Sequence, residues 1–209
     1  MKITASPRTI GAGLVGVVTL GLGFLPLFAG PGYEEAFAAG LIVPSIAAVV
    51  TALDSSAARV GKTGRAPLQC ILHGIGIGLI FSGIALATAI LHGLRVGFCD
   101  LGSGVIGFLL TAFPGIVLGG VWGACAGEIA ARFRRRRLVS VLLGVGAPLA
   151  SALIGLWRFY SSPMVFNFDP FVGYFSGSFY DTVIDPGASL LSYRFGTLAT
   201  LTFALAASS

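Results

Sequence analysis

The sequence predicts an all-α fold, a polytopic transmembrane bundle of about six helices, from three observations. Hydrophobic residues make up 56% of the 209 residues and charged residues only 10%, whereas soluble domains carry about 25% charged residues. The apolar residues are gathered in five stretches of 18 to 24 residues, and none of the 21 charged residues lies inside them. Helices of that length span about 27 to 36 Å, which matches the roughly 30 Å of a bilayer core.

The five stretches predict the first five helices, and they are separated by short polar or glycine-rich connections. Their bounds are 9–29, 36–53, 68–91, 105–127 and 138–157. The first follows Lys2 and Arg8, as a cleavable signal peptide would. Its 21 uncharged residues exceed the 7 to 15 of a typical signal h-region, so we predict that it is retained as a helix.

A sixth helix is predicted over 186–209. Asp185 followed by Pro186 is typical of a helix start, with an acidic N-cap and proline at the first helical position. The uncharged part, 196–209, reaches only about 21 Å as a helix, and no basic residue follows it. We therefore expect that residues 1–209 form a single membrane domain and are a piece of a longer protein.

The distribution of lysine and arginine predicts the orientation. Alternate connections place ten of them on one side of the membrane and three on the other. Basic residues accumulate on the cytoplasmic side, so the N-terminus is predicted to be cytoplasmic, in a bacterial inner membrane. The five arginines before the fifth helix are also a candidate contact for anionic lipid. They are Arg132, Arg134, Arg135, Arg136 and Arg137.

Glycine spacing predicts how the helices pack. The fourth stretch has a glycine at every fourth position, a glycine zipper along one helix face formed by Gly115, Gly119, Gly123 and Gly127. Gly74 and Gly78 form a shorter version in the third stretch. Small residues let helix backbones approach closely in lipid. We predict a close antiparallel pair of helices three and four, and a homodimer through the same groove is the alternative.

The outer loop, 158–185, has the most unusual composition, because the segment 158–195 holds 11 of the 23 aromatic residues. Tyrosine and other aromatic rings favour the headgroup region, so we predict a partly immersed cap over the outer face. The alternative is a binding patch for a protein partner, formed by Asp169, Tyr174, Tyr180, Asp181 and Asp185. Arg158 and Arg194 flank the loop, and we expect one of them to pair with Asp169 or Asp181, since a carboxylate among aromatic rings needs a partner.

No constellation in the sequence predicts chemistry. Cys70, Cys99 and Cys125 fit neither a disulfide framework nor a zinc pattern, and the two histidines lack a matching nucleophile. The string Gly-Ala-Gly-Leu-Val-Gly at 11–16 lies inside a predicted span rather than after a strand, so it does not indicate a nucleotide site. We expect no enzymatic activity, no cofactor, no metal and no nucleic-acid partner.

The predicted function is therefore non-enzymatic: a multi-pass membrane module that anchors or scaffolds a larger envelope or sensory protein. One alternative is a small-molecule transporter or channel subunit, because Pro44, Pro114 and Pro148 lie near the middle of predicted helices and transporters use broken helices there. No charged residue is predicted at that depth, which weakens this alternative. A second alternative is an intramembrane enzyme.

Overall fold

The computed structural model describes residues 6–61, 66–97, 100–162, 166–176 and 187–208. Within these ranges the chain is almost entirely helical, which confirms the predicted all-α class. In the described part of the chain, four helical segments are long and apolar enough to cross a membrane: Tyr33–Val60, Pro67–Val96, Leu101–Ala130 and Arg136–Ser161. By these lengths and compositions the chain is an integral membrane protein.

The helices and strands follow one another in a simple order. They are α1 (Pro7–Leu22), a short 3₁₀ helix (Pro26–Phe28), α2 (Tyr33–Val60), α3 (Pro67–Val96), α4 (Leu101–Leu110), α5 (Ala112–Ala130), α6 (Arg136–Ser161), β1 (Phe166–Asp169), β2 (Gly173–Ser176) and α7 (Gly187–Ser208). The two strands pair antiparallel. α7 corresponds to the predicted sixth helix.

The first predicted helix, 9–29, is shorter in the structure than the uncharged stretch that predicted it. α1 ends at Leu22, and the chain continues into the 3₁₀ helix that starts at Pro26. A proline at this position cannot donate to the carbonyl of Leu22, and it pushes the preceding residue out of the helical region. Leu25 is accordingly extended, with ψ of 138°. The 16 residues of α1 reach only about 24 Å.

The fourth predicted helix, 105–127, is two helices rather than one. It starts earlier, at Leu101, because Asp100 caps it by accepting the backbone N–H of Ser103 at 3.1 Å. It is interrupted at Thr111, where ψ falls to −79°, and resumes as α5. Pro114 has no N–H to donate to the carbonyl of Leu110, four residues earlier. The absence of charge in the sequence therefore predicted the span but not its break.

α5 lies at the centre of the bundle, and its most extensive contact is with α2. A Cβ atom at Gly119 would lie 2.5 Å from the carbonyl oxygen of Pro44, and one at Gly123 would lie 2.8 Å from the Cα of Ala48. Gly127 faces the same helix one turn later. Three of the four glycines of the predicted zipper thus face α2, and not α3 as the predicted pairing of helices three and four required.

α3 packs on a different face of α5 through its own glycines. A Cβ atom at Gly78 would lie 2.6 Å from the Cα of Val117, and Gly74 lies against the backbone of Gly120. α3 and α5 are therefore close neighbours, as predicted, although the zipper residues do not form this contact. Small residues on two faces allow α5 to approach two helices at once.

Ion pairs join the helices at one end of the bundle. We call the end that carries Arg8, Arg59 and Arg132 the basic end and the opposite end the hairpin end. At the basic end, Arg8 Nε lies 2.6 Å from Asp54 Oδ2 and Arg59 Nε lies 3.3 Å from Glu128 Oε2. These ion pairs join α1 to α2 and α2 to α5.

Candidate functional site

Residues 166–176, inside the predicted outer loop, form a β-hairpin. Phe168 pairs with Tyr174 and Asp169 with Gly173, which leaves a three-residue turn between the strands. Gly173 has φ of +112°, a left-handed conformation that favours glycine. Aspartate, proline and glycine at these positions are typical turn residues, so this hairpin had a recognisable signal in the sequence.

Asp169 fixes the turn and attaches it to α6. Its side chain is only 2% exposed. Oδ1 accepts the backbone N–H groups of Phe171 and Val172, both at 2.8 Å, and Oδ2 accepts the hydroxyl of Ser151 at 2.6 Å. Asn167 donates to the carbonyl of Gly155 at 2.7 Å. As the first strand proceeds from Asn167 to Asp169, its partner on α6 changes from Gly155 to the earlier residue Ser151. The strand therefore runs antiparallel to α6 and into the bundle.

The tip of the hairpin reaches α2 and α5 at positions that have no side chain. A Cβ atom at Gly40 would lie 2.7 Å from the carbonyl oxygen of Val172, and Gly115 lies directly against the carbonyl of Phe171. Any larger residue at either glycine would meet backbone, which cannot move cheaply. The predicted zipper residue Gly115 therefore contacts the hairpin and not a helix.

Arg194 of α7 joins the hairpin to the break between α4 and α5. Its side chain is 5% exposed and donates to three carbonyl oxygens: Nε to Leu110 at 2.8 Å, Nη2 to Thr111 at 2.6 Å and Nη1 to Pro170 at 3.0 Å. The carbonyl of Leu110 is the one that Pro114 leaves without a helical donor. One guanidinium thus supplies donors to the broken helix and to the turn.

The expected ion pair of Asp169 with a flanking arginine is not formed. Among the described residues, Asp169 binds Ser151 and two backbone N–H groups, and Arg194 binds three carbonyls. Arg158 is exposed near the end of α6. A buried charge must be paired or hydrogen-bonded, and here irregular backbone provides the partners. The sequence showed the charges but not the backbone groups that they would meet.

The predicted aromatic cap differs from what the structure shows over 166–176. Phe171 and Val172 are buried inside the bundle, and Tyr174 is half-buried. The ring of Tyr174 lies 5.0 Å from that of Tyr33, whose hydroxyl donates to the carbonyl of Tyr174 at 3.3 Å. The other members of the predicted patch, Tyr180, Asp181 and Asp185, lie outside the described residues.

Sequence reasoning missed Glu35. The predicted second helix began at residue 36, which left Glu35 in a connection, but α2 begins at Tyr33 and includes it. Its side chain is 6% exposed, and Oε2 is buried with no hydrogen-bond partner among the described residues. Glu34 beside it is exposed. The two glutamates are equivalent in the sequence, and only the direction in which each side chain leaves α2 decides that Glu35 is the buried one.

The remaining candidates for chemistry lie apart from one another. Cys70 is buried with its thiol 3.8 Å from Glu128, and Cys125 is exposed on α5. His73 lies 3.4 Å from Asp54 at the basic end, whereas His92 contacts the carbonyl of Leu20 near the hairpin end. Cys99 is outside the described residues. In the described part of the chain, no three His, Cys, Asp or Glu side chains are placed to hold a metal ion.

Comparison of the chain with protein-family models, with curated proteins and with solved structures finds no match.

Proposed function

We propose that the chain is a non-enzymatic, multi-pass membrane module that anchors or scaffolds a larger envelope or sensory protein. The observation that carries this proposal is that Asp169 and Arg194, the buried charges of the hairpin site, are both bound to groups of the protein itself. Charges used in this way hold elements of the bundle together. A bundle with a fixed interior is suited to hold an attached or bound protein at the membrane.

The exposed aromatic residues near the end of α6 support a position of the bundle in which this end of α6 lies at the membrane interface. Trp157 is 74% exposed and Tyr160 80% exposed, and such residues are enriched at the membrane interface. Arg137 precedes Trp157 by 20 residues, or about 30 Å of helix, which equals the thickness of the hydrocarbon core. Ser151 then lies roughly 9 Å below the hairpin-end interface, and the hairpin that it binds enters the membrane and returns.

This position explains why the hairpin needs Asp169 and Arg194. Non-helical backbone inside a membrane is tolerated where protein satisfies its hydrogen-bonding groups. Asp169 accepts two N–H groups of the turn, and Arg194 donates to the turn and to the helix break. Both charged residues thus support a structural role at this depth.

The positive-inside rule supports a cytoplasmic basic end, and hence a cytoplasmic N-terminus and an outward-facing hairpin end. The bacterial inner membrane is the proposed location. We expect Cys99, between α3 and α4, to react with a membrane-impermeant maleimide in intact spheroplasts, while Cys125 reacts only after the membrane is opened. If Cys125 were labelled in intact spheroplasts and Cys99 were not, the topology would be the reverse of the one proposed.

Distances between spin labels test whether the interior is fixed. With the native cysteines replaced by serine, one pair of labels at Leu94 and Trp157 reports the hairpin end, and a second pair at Val60 and Phe133 reports the basic end. All four positions are exposed. The anchor predicts one narrow distance distribution for each pair in lipid nanodiscs. Alternating access would instead give two distances for each pair of labels, with the short distance at one end accompanying the long distance at the other.

A transporter or channel subunit is the second candidate, and the break between α4 and α5 favours it. Transporters bind substrates at unwound helices, and a mostly apolar cavity of about 270 Å³ lies beside this break, lined by Pro114, Leu191 and Arg194 among others. Glu35 adds a buried carboxyl oxygen without a partner among the described residues. The same spin-label experiment separates this candidate from the anchor.

A further inference from the structure

An apolar groove of about 450 Å³ lies between α1, α2 and α6 in the half of the bundle nearer the basic end. Its walls include Ile10 and Leu14 of α1, Val49 of α2, and Val141 and Val145 of α6. Four of these side chains, those of α1 and α6, are exposed, so the groove opens on the outer surface of the bundle. Its volume lies in the range of about 300 to 1,000 Å³ that is typical of ligand sites.

Arg137 lies at the basic end of this groove. It precedes Val141 by four residues, so both lie on the same face of α6. Helical side chains lean toward the N-terminus of their helix, which directs Arg137 away from the apolar walls and toward the basic end. In the bilayer position argued above, Arg137 lies at the level of the lipid headgroups.

Within the described residues, no carboxylate forms an ion pair with the arginines at this end of the groove. The arginines involved are Arg132, Arg134, Arg135, Arg136 and Arg137, and within the described ranges no ion pair uses any of them. The two nearby carboxylates already have partners: Asp54 binds Arg8 and His73, and Glu128 binds Arg59. The groove therefore combines apolar walls with arginines at its basic end that form no ion pair among the described residues.

We propose that this groove and Arg137 bind an anionic phospholipid from the leaflet at the basic end. One acyl chain lies between Leu14 and Val145, and the phosphate contacts Arg137. The positive-inside rule accounts for basic residues in the connection, but it does not require an apolar groove that begins one turn from one of them. Basic sites between membrane helices are typical contacts of anionic headgroups.

The proposal predicts lipid selectivity that depends on both parts of the site. Native mass spectrometry of the full chain, in detergent with equal amounts of phosphatidylglycerol and phosphatidylcholine, measures which lipid is retained. We expect retention of phosphatidylglycerol. Arg137→Gln should weaken it roughly fivefold, which corresponds to about 1 kcal/mol for one basic residue near the surface. Arg132→Gln removes the same charge away from the groove, and we expect less than a twofold loss.

A second variant tests the groove itself. Val145→Trp fills it from α6 and should abolish selective retention while all arginines remain. If that variant does not fold, Ile10→Trp fills the groove from its exposed rim. Inorganic phosphate and the water-soluble glycerophosphoglycerol headgroup should fail to displace the lipid, because neither has an acyl chain.

Three outcomes would overturn the proposal. Equal retention of the two lipids would show that no anionic site exists. Equal losses for Arg137→Gln and Arg132→Gln, with no effect of either tryptophan, would show a diffuse charge effect without a groove. Displacement by the free headgroup would show a soluble phosphate site. None of these outcomes depends on whether the chain anchors another protein.

Discussion

The α2–α5 interface and the hairpin site both rely on glycines that let backbones approach, but different forces hold them. At the interface, Gly119 and Gly123 bring α5 against Pro44 and Ala48, and the attraction is van der Waals packing. At the hairpin site, Gly40 and Gly115 only make room, and hydrogen bonds of Asp169 and Arg194 hold the chain. The comparison indicates that this protein uses small residues where helices meet and charged residues where the backbone is irregular.

The largest effect is expected at the α2–α5 interface. Gly119→Leu and Gly123→Leu place a side chain against backbone of α2, so the helices must separate. We expect each to cost more than about 3 kcal/mol, at the upper end of overpacking effects. Thermal unfolding in detergent measures the loss.

Gly146 provides a matched control for these substitutions. It lies on α6, and nothing lies within 4 Å of a Cβ atom built there. Gly146→Leu should leave stability unchanged or raise it slightly, because leucine is a better helix former than glycine. If Gly146→Leu destabilised the protein as much as Gly119→Leu, close packing on α2 would not explain the loss.

The next effect is expected for Arg194→Met. Methionine keeps an unbranched apolar chain but leaves the carbonyls of Leu110, Thr111 and Pro170 without this donor. A buried polar group left unsatisfied costs about 1 to 3 kcal/mol, so we expect a loss of about 3 kcal/mol and faster proteolysis of the hairpin. Arg158→Met, at an exposed arginine of the same end, should change neither. An Arg194→Met variant as stable as the wild type would show that Arg194 does not stabilise the hairpin or the helix break.

A smaller effect is expected for Asp169→Asn. The amide keeps one oxygen for the N–H groups of Phe171 and Val172, but it loses the charge, and its NH2 group cannot accept the hydroxyl of Ser151 as Oδ2 does. We expect a loss of about 1 kcal/mol. Asp169→Ala loses every hydrogen bond of the side chain and should cost two to three times as much. Both Asp169 and Arg194 hold the same turn, so combining Asp169→Ala with Arg194→Met should cost less than the sum of the two. Strict additivity would mean that the two residues act on separate elements.

The smallest effect is expected at Asp100, outside the spanning segments. Hydrogen bonds from the hydroxyl and backbone N–H of Ser103 lower the pKa of Asp100 below its ordinary value. Its contribution to stability is therefore present above the ordinary pKa and is lost as the pH falls through the lowered one. The unfolding temperature of wild type should fall toward that of Asp100→Ala in acid, whereas Asp100→Asn should keep its cap at every pH.

The sequence predicted the spanning helices better than the hairpin site, for a physical reason. Charges are excluded from lipid-facing helices, so the stretches 36–53, 68–91 and 138–157 locate α2, α3 and α6, which extend beyond them at both ends. Absence of charge says nothing about hydrogen bonding along a helix, so the break at Thr111 was not predicted. Aromatic residues suit both an interface and a buried hairpin, and composition does not separate the two.

One residue could have revealed more of the site. Arg194 interrupts an otherwise apolar sixth helix, and a charge there needs partners. Those partners are carbonyls from α4, Thr111 and the turn, which come from distant parts of the chain. The proline at 114 indicated a carbonyl without a donor, but only the fold brings Arg194 to it.

The central claim, that Asp169 and Arg194 fix the hairpin inside the bundle, is tested most directly by hydrogen exchange. The backbone amides of Phe171 and Val172 both donate to Asp169 and are buried. In lipid nanodiscs these two amides should exchange as slowly as the amides in the middle of α5, and Arg194→Met should make them exchange much faster. Exchange of both amides at the rate of an exposed loop in the wild-type protein would contradict the account.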